Sequence, residues 1–246
     1  MEGLDWLTAR PVAHRGLHGN GIVENSLAAA RAAIEANYAI EIDLQASADG
    51  EPVVFHDDTL ERLTDESGPL GERSFAELTK IRLKGTEETI PSFSEILDMV
   101  AGRTPILVEL KSAWNGETIL AEKVARRLES YAGPVAVMSF DPVIVRALRK
   151  FAPGLPRGIV AQRWYINPNW DFLAPARKHY LGLLLHIFRT QPHFVAYGQF
   201  DLPAIAPLFA KYLLGMPLLA WTVRVERERV KMRKWADQII FEFVRP

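Results

Sequence analysis

Glu41 and Asp43 alternate with Ile40, Ile42 and Leu44, so in an extended strand both carboxylates face one way and the aliphatic side chains the other. Two acids on one sheet face repel each other unless positive charge lies between them. Hard oxygen donors of this kind suit one divalent cation, Mg2+ or Ca2+ first and Mn2+ also, better than Zn2+. Glu109, inside the apolar run Val108-Glu109-Leu110-Lys111, offers a third carboxylate in the same kind of setting. Two short strings, His14-Arg15-Gly16 and His56-Asp57, bracket the acidic pair along the chain. Imidazole titrates near neutral pH and suits proton transfer, and a guanidinium presents a planar fork to two oxygens. Together these groups point to metal-assisted chemistry on a phosphate ester, where a cation and a guanidinium offset the charge that gathers in the transition state. Gly16 removes a side chain beside Arg15 and would let backbone approach a ligand.

Such side chains act together only if strands deliver their ends to one place. Short apolar runs predict strands near 12–13, 39–44, 106–110, 135–138, 158–161, 194–197, 218–222 and 238–241. Helical patterns between them fall at 26–36, 93–101, 117–131, 142–151, 171–188, 204–214 and 226–235, with Asp141 before Pro142 reading as an N-cap. Strand and helix alternating eight times predict an α/β fold, a single (β/α)8 TIM barrel forming one domain over residues 1–246. Residues 50–91 break the alternation with the strand Val53-Val54-Phe55, turns through Gly68-Pro69 and a short helix at 75–81, and read as a small insertion after the second barrel strand. Functional groups of such barrels collect at the C-terminal ends of strands and on the loops that follow. His14, Asp43, Glu109 and Trp221 fall at such ends, and His56 lies on the insertion.

Composition narrows the partners. A net charge of -1 gives no basic field for nucleic acid, so phosphate recognition must be local. Zero cysteines exclude disulfides, thiolate metal sites and cysteine nucleophiles. Residues 1–10 lack the basic start and long apolar run of a secretory signal, which makes the cytoplasm the expected location. The most lipid-like stretch, 180–188, is far short of the roughly 18 residues that suggest a spanning helix, leaving peripheral lipid contact open. Nothing in the chain fixes an oligomeric state.

The strings His14-Arg15-Gly16, Glu24-Asn25-Ser26, Glu41-Ile42-Asp43, the block from His56-Asp57-Asp58-Thr59 to Arg62-Leu63-Thr64, Ile90-Pro91-Ser92, Val108-Glu109-Leu110-Lys111 and Trp221-Thr222-Val223 occur in that order along the chain. Taken as an ordered set, they make the chain resemble the glycerophosphodiester phosphodiesterase family. The resemblance implies a TIM barrel that uses a divalent metal to hydrolyse glycerophosphodiesters to glycerol 3-phosphate and an alcohol. It further implies that His14 and His56 form the acid/base pair, that Glu41, Asp43 and Glu109 hold the metal, and that Arg15 and Lys111 contact phosphate. Trp221 is then a candidate wall of the substrate pocket.

Each assignment has a plainer counterpart. Glu41 and Asp43 can pair with Arg15 and Lys111 in a structural network, Glu24 and Asn25 can cap the helix that follows, and Asp57 can orient a histidine or merely end a strand. His18, His179, His186 and His193 read as ordinary surface or core residues. Val23 stands where the family often has Pro before Glu24-Asn25, a change in loop stiffness. The other departures gather late in the chain: Arg224 stands where Asn is frequent and either favours an alcohol portion bearing negative charge or many hydroxyls or is a loop charge paired with Glu226 or Glu228. The run Ile239-Ile240-Phe241-Glu242 reads as lacking the usual small polar or acidic ending. Both late changes flank the alcohol side. Two alternatives therefore accompany the small phosphodiester as substrate: a lysophospholipid, and, from a different class, a catalytically silent barrel that binds phosphorylated ligands or a partner protein.

Overall fold

Eight short runs of β-branched and aliphatic residues must bury both faces, and closing them into a ring covered by helices does so. The computed structural model describes residues 3–246; Met1 and Glu2, at the head of the stretch searched for a leader, lie outside the described residues. Along the chain come α1 (Asp5–Thr8), β1 (Val12–Ala13), α2 (Leu27–Glu35), β2 (Ala39–Ala46), β3 (Pro52–Val54), α3 (Phe75–Leu78), α4 (Phe93–Val100), β4 (Ile106–Leu110), α5 (Ile119–Leu128) and β5 (Val135–Ser139). They are followed by α6 (Pro142–Phe151), β6 (Arg157–Ala161), α7 (Pro175–Gly182), α8 (Ile187–Thr190), β7 (Phe194–Gly198), α9 (Ile205–Tyr212), β8 (Leu218–Val223), α10 (Glu226–Met232) and β9 (Gln238–Phe241). All strands except β3 pair in parallel in the order β1-β9-β8-β7-β6-β5-β4-β2, and β1 pairs with β2 to complete an eight-stranded barrel.

Strand periodicity sorts the side chains into two cores. Ile40, Ile42, Leu44, Val108, Val137 and Ile159 point outward into the main apolar layer beneath the helices. Val12, Ala39, Leu107, Met138, Val160, Phe194 and Leu219 fill the barrel, joined by Leu7 of α1. Gly158 is needed there: a Cβ on it would lie 2.3 Å from the Phe194 ring. Pairing of β2 with β4 sets Asp43 opposite Glu109 and Glu41 opposite Leu107, so the acids of two strands become neighbours by register alone.

The insertion begins with β3, antiparallel to β2 through Leu44–Val54 and Gln45–Val53. Val53, Phe55, Leu60, Leu70, Leu78, Leu83 and Ile90 give it an apolar cluster of its own. The Phe55 amide donates to the Asp43 carbonyl at 3.1 Å, which brings the next residue, His56, to the barrel mouth.

Helices keep close to their predicted places, and Asp141 caps α6 by accepting from the Val143 amide at 2.9 Å. The exception is the helix expected over 171–188, which is divided into α7 and α8. Pro175 has no amide hydrogen and sits in the first turn of α7, while Leu184 adopts a left-handed φ of 53° that ends helical winding. Among the described residues no helix is long and apolar enough to cross a membrane.

Candidate active site

The acids of β2 and β4 meet at the mouth of the barrel. One carboxylate oxygen from each of Glu41, Asp43 and Glu109 lies within 4.8 Å of the others, and all three residues are buried. Their counter-charges come from Arg15 and Lys111. The Lys111 Nζ lies 2.7 Å from Asp43 Oδ1 and 2.5 Å from Glu109 Oε1. The Arg15 amide donates to Glu41 Oε2 at 2.9 Å, and its Nε lies 3.2 Å from Asp43 Oδ2. Three carboxylates against two cations leave a deficit of positive charge.

That deficit falls on Glu41. Its Oε1 is buried with no hydrogen-bond partner, and burial, reinforced by the charges of Asp43 and Glu109, holds its pKa well above the carboxylate range. Burial pushes Asp43 the same way, but Lys111, His56 and Arg15 prevail and hold it far below its ordinary value. One proton-hungry acid beside the ionised Asp43, with Glu109 adding a third hard oxygen donor, is a set that a divalent cation completes. The residues present therefore fit such an ion.

Two imidazoles share this mouth, and each is anchored through Nδ1. His14, directly after β1, donates from Nδ1 to Glu242 Oε1 at 2.6 Å, with its Nε2 3.9 Å from Glu41 Oε2. His56 donates from Nδ1 to Asp57 Oδ1 at 2.7 Å. A carboxylate on Nδ1 fixes the ring plane and leaves Nε2 for a ligand. Burial lowers the His14 pKa, Arg15 adds to that, and the bond to Glu242 opposes both. Glu242 stays ionised: burial raises its pKa, but His14, His18 and Arg224 hold it far below the usual range.

A chain of charges ties the barrel to the insertion. Arg15 Nη1 donates to Glu24 Oε1 at 2.7 Å, Arg62 binds Glu24 through Nη2 at 2.7 Å and Nη1 at 2.9 Å, and Arg62 Nε donates to Asp57 Oδ2 at 2.5 Å. Asn25 clamps Asp43 from beneath, donating from Nδ2 to Oδ2 at 2.9 Å and accepting from the Asp43 amide at 3.2 Å. Glu24 and Asn25 thus belong to the site; Ser26 does the capping, accepting from the Ala29 amide at 3.0 Å.

A cavity of about 420 Å3 opens above these groups. Its lining combines the polar groups His14, Arg15, Glu41, His56, Glu109 and Lys111 with the apolar side chains Phe140, Trp164, Ile166, Phe200 and Trp221. Trp221 meets Phe140 edge to face at 5.4 Å. Every predicted site residue is therefore at this mouth, with Asp43 just beneath the lining.

Four readings of the sequence need correction. The β9 run does end in a site acid, because Glu242 is the partner of His14. Arg224 pairs by its side chain with Glu242, Nε to Oε2 at 2.6 Å, while Glu228 accepts only its backbone amide at 2.8 Å. His18, set aside as ordinary, has its Nε2 3.8 Å from Glu242 Oε1. Gly16 faces α2 rather than a ligand: its φ is +76°, and a Cβ there would lie 2.7 Å from the Ala29 Cβ. Arg62 was missed although it lies in a matching block, five residues after Asp57; Glu242 was signalled as the first acid after the last apolar run.

Comparison with known proteins bears on the whole chain. The family model described as "Glycerophosphoryl diester phosphodiesterase family" matches residues 14–244. A glycerophosphodiester phosphodiesterase of Caldanaerobacter subterraneus is 26% identical over 91% of this chain and 89% of its own length. Human glycerophosphodiester phosphodiesterase 1 is 26% identical over 89% of this chain and 72% of its own. Among solved structures, an Oleispira antarctica phosphodiesterase in complex with the product sn-glycerol-3-phosphate shares the fold with a TM-score of 0.78 at 24% identity, covering 94% of this chain and 91% of that one. A Thermotoga maritima glycerophosphodiester phosphodiesterase superposes with a TM-score of 0.70 at 23% identity, covering 94% of both. With a match that runs from the first site histidine to beyond Glu242, the chain belongs to the glycerophosphoryl diester phosphodiesterase family and is a phosphodiesterase.

Proposed function

We propose that the chain hydrolyses glycerophosphodiesters to glycerol 3-phosphate and an alcohol, with one divalent cation held by Glu41, Asp43 and Glu109 and with His14 and His56 as the general acid and base. The observation that carries this reading is the pair of imidazoles, each held at Nδ1 by its own carboxylate, at the rim of one cavity that also contains the acid trio. A binding protein needs no such pair, because only bond cleavage requires a proton to be taken from the attacking oxygen and another given to the departing one.

The cation, when bound, supplies positive charge against which the phosphodiester's own charge is balanced, Mg2+, Ca2+ and Mn2+ all suiting the oxygen donors. Arg15 carries the remaining charge, its guanidinium held at the cavity edge by Glu24 and Asp43. Lys111 braces Asp43 and Glu109 and lines the same cavity, where its ammonium is available to phosphate. Trp221 and Phe140, also in the lining, offer apolar surface to the alcohol portion. That face favours a single-chain lysophospholipid as the second substrate reading. The glycerol 3-phosphate held by the Oleispira relative suits the first.

One panel tests the reading: the enzyme with glycerophosphocholine, glycerophosphoethanolamine, glycerophosphoglycerol and lysophosphatidylcholine, each with Mg2+, Ca2+ or Mn2+ and with chelator. Release of glycerol 3-phosphate that chelation abolishes is expected. Turnover of none of the four with any of the three metals would overturn it.

A further inference from the structure

Large apolar side chains are spread unevenly over the surface. Of the fifteen that stand exposed among the described residues, eleven lie between Trp164 and Leu213, about a fifth of the chain. Ile166 is 84% exposed, Phe200 76% and Ile205 88%. These residues belong to the connections that follow β6 and β7, two adjacent strands, so they occupy neighbouring sectors of the helical ring. Patches of this extent are uncommon on soluble proteins unless they meet something.

Charge singles out the same sector. From Arg163 to Leu213 there are five Lys or Arg and two acids, Asp171 and Asp201, in a chain whose net charge is -1. Lys178 lies near Asp171 and Lys211 pairs with Asp237. Among the described residues Arg163, Arg177 and Arg189 have no carboxylate partner. Arg163 and Arg177 lie over the Trp164 and Trp114 rings. Apolar side chains mixed with guanidinium groups that no carboxylate neutralises are the composition of a surface that lies on anionic lipid, apolar groups entering the headgroup boundary while the charges meet the headgroups.

The sector is firmly built and continuous with the cavity. Trp114 stacks edge to face on Trp170 at 6.0 Å, and Tyr165 on Trp170 at 5.0 Å, which stiffens the loop after β6. Asp201 accepts from the Arg163 amide at 2.7 Å and so ties that loop to the one after β7. Tyr197 donates to the Gly182 carbonyl at 2.7 Å, bringing the end of α7 and the Leu183–Phe188 stretch alongside. Trp164, Ile166 and Phe200 belong to both the exposed rim and the cavity wall.

From this arrangement we infer that the mouth-side part of these connections, Trp164, Ile166, Phe172, Phe200 and Ile205 with Arg163 and Arg177, docks on a lipid surface bearing anionic headgroups, with the cavity mouth opening toward that surface. The docking stands apart from the reaction. That the phosphodiester is drawn from the surface rests on the hydrolytic reading given above.

The test is sedimentation of the full chain with vesicles of phosphatidylcholine alone and of phosphatidylcholine mixed with phosphatidylglycerol, at low and high salt. Binding to the mixed vesicles, released by salt, is expected for the enzyme and equally for His14→Ala, so that loss of hydrolysis and loss of docking are read separately. Phe172→Glu combined with Ile205→Glu should weaken vesicle affinity at least about tenfold while turnover of water-soluble glycerophosphocholine is unchanged. Arg163→Glu combined with Arg177→Glu, which alters only exposed charges, should do the same if the first pair fails to fold. Failure to sediment with mixed vesicles at low salt, or binding untouched by the substitutions, overturns the inference. So does a dimer in light scattering that the Phe172/Ile205 pair dissolves, which would give the face to a second copy of the chain.

Discussion

Removing the carboxylate behind His14 should separate orientation from charge. Glu242 is buried, accepts from His14 Nδ1 at 2.6 Å, and lies on the far side of the ring from the nitrogen left for a ligand. A hydrogen bond to a charged group is worth about 1.5–3 kcal/mol net, which corresponds to roughly 10- to 150-fold in rate if it is made fully only in the transition state. Glu242→Gln keeps an acceptor and loses the charge, so kcat/KM for glycerophosphocholine should fall toward the lower limit, about tenfold; Glu242→Ala should approach the upper. Both changes withdraw negative charge from beside an imidazole whose pKa Glu242 otherwise raises. The His14 limb of the pH–rate profile must therefore move to lower pH. In a His14→Ala background neither substitution should cost anything further, because the group they act through is gone. A loss that multiplies with that of His14→Ala, or a pH profile that stays in place, would refute the reasoning.

Chelation should abolish turnover, and Glu41→Gln should need more metal and recover part of the rate when it is supplied, as titration with Mg2+, Ca2+ and Mn2+ would show. His14→Ala and His56→Ala should each lower kcat at least about a hundredfold, and the double variant should be little worse than either. Arg62→Lys should cost a few fold in kcat with little change in KM, because an ammonium cannot span Glu24 and Asp57 at once, while the half-exposed site limits the loss. His186 is buried beside Thr190, and burial pushes its pKa down to about 4 from 6.5. The unfolded chain then takes up a proton before the folded one, so stability present above pH 6.5 should shrink by about 3 kcal/mol as pH falls toward 4. Urea midpoints measured across that range should show His186→Leu without this part of the slope.

The barrel was legible because each strand is a short apolar run and the spacing between runs leaves room for one helix. Glu41, Asp43 and Glu109 were legible for the same reason, an acid interrupting an aliphatic alternation. What escaped were effects of the third dimension. Three consecutive leucines at 183–185 look like one helix with their neighbours, but the backbone turns left-handed at Leu184, which buries that side chain and leaves Leu183 and Leu185 exposed. Asn25 looked like a cap because it precedes a helix, and only closure of β1 against β2 brings it under Asp43. Glu242 is separated from His14 by nearly the whole chain, a distance that only the β1–β9 pairing removes. Arg224 illustrates the same limit, since its partner is set by the neighbouring strand rather than by the acids next to it in sequence.

The insertion carries His56 on an apolar cluster of its own, and its ties to the barrel include one short antiparallel pairing, the Gln45 side chain donating to the His56 carbonyl at 3.0 Å, the Arg62–Glu24 bridge, the Ala48 amide donating to the Arg73 carbonyl at 2.8 Å and Val54 packed in the main core. Such a piece can open as a cooperative unit at a lower free-energy cost than the ring of parallel strands beneath it. Opening it withdraws one imidazole and leaves the acid trio in place. Under mild denaturant the enzyme then falls silent while still folded, its amides from 52 to 91 exchanging ahead of those in the barrel. Working lifetime should therefore follow the hold of this appendage on the barrel, and strengthening that hold should prolong activity without any change to the ring of parallel strands.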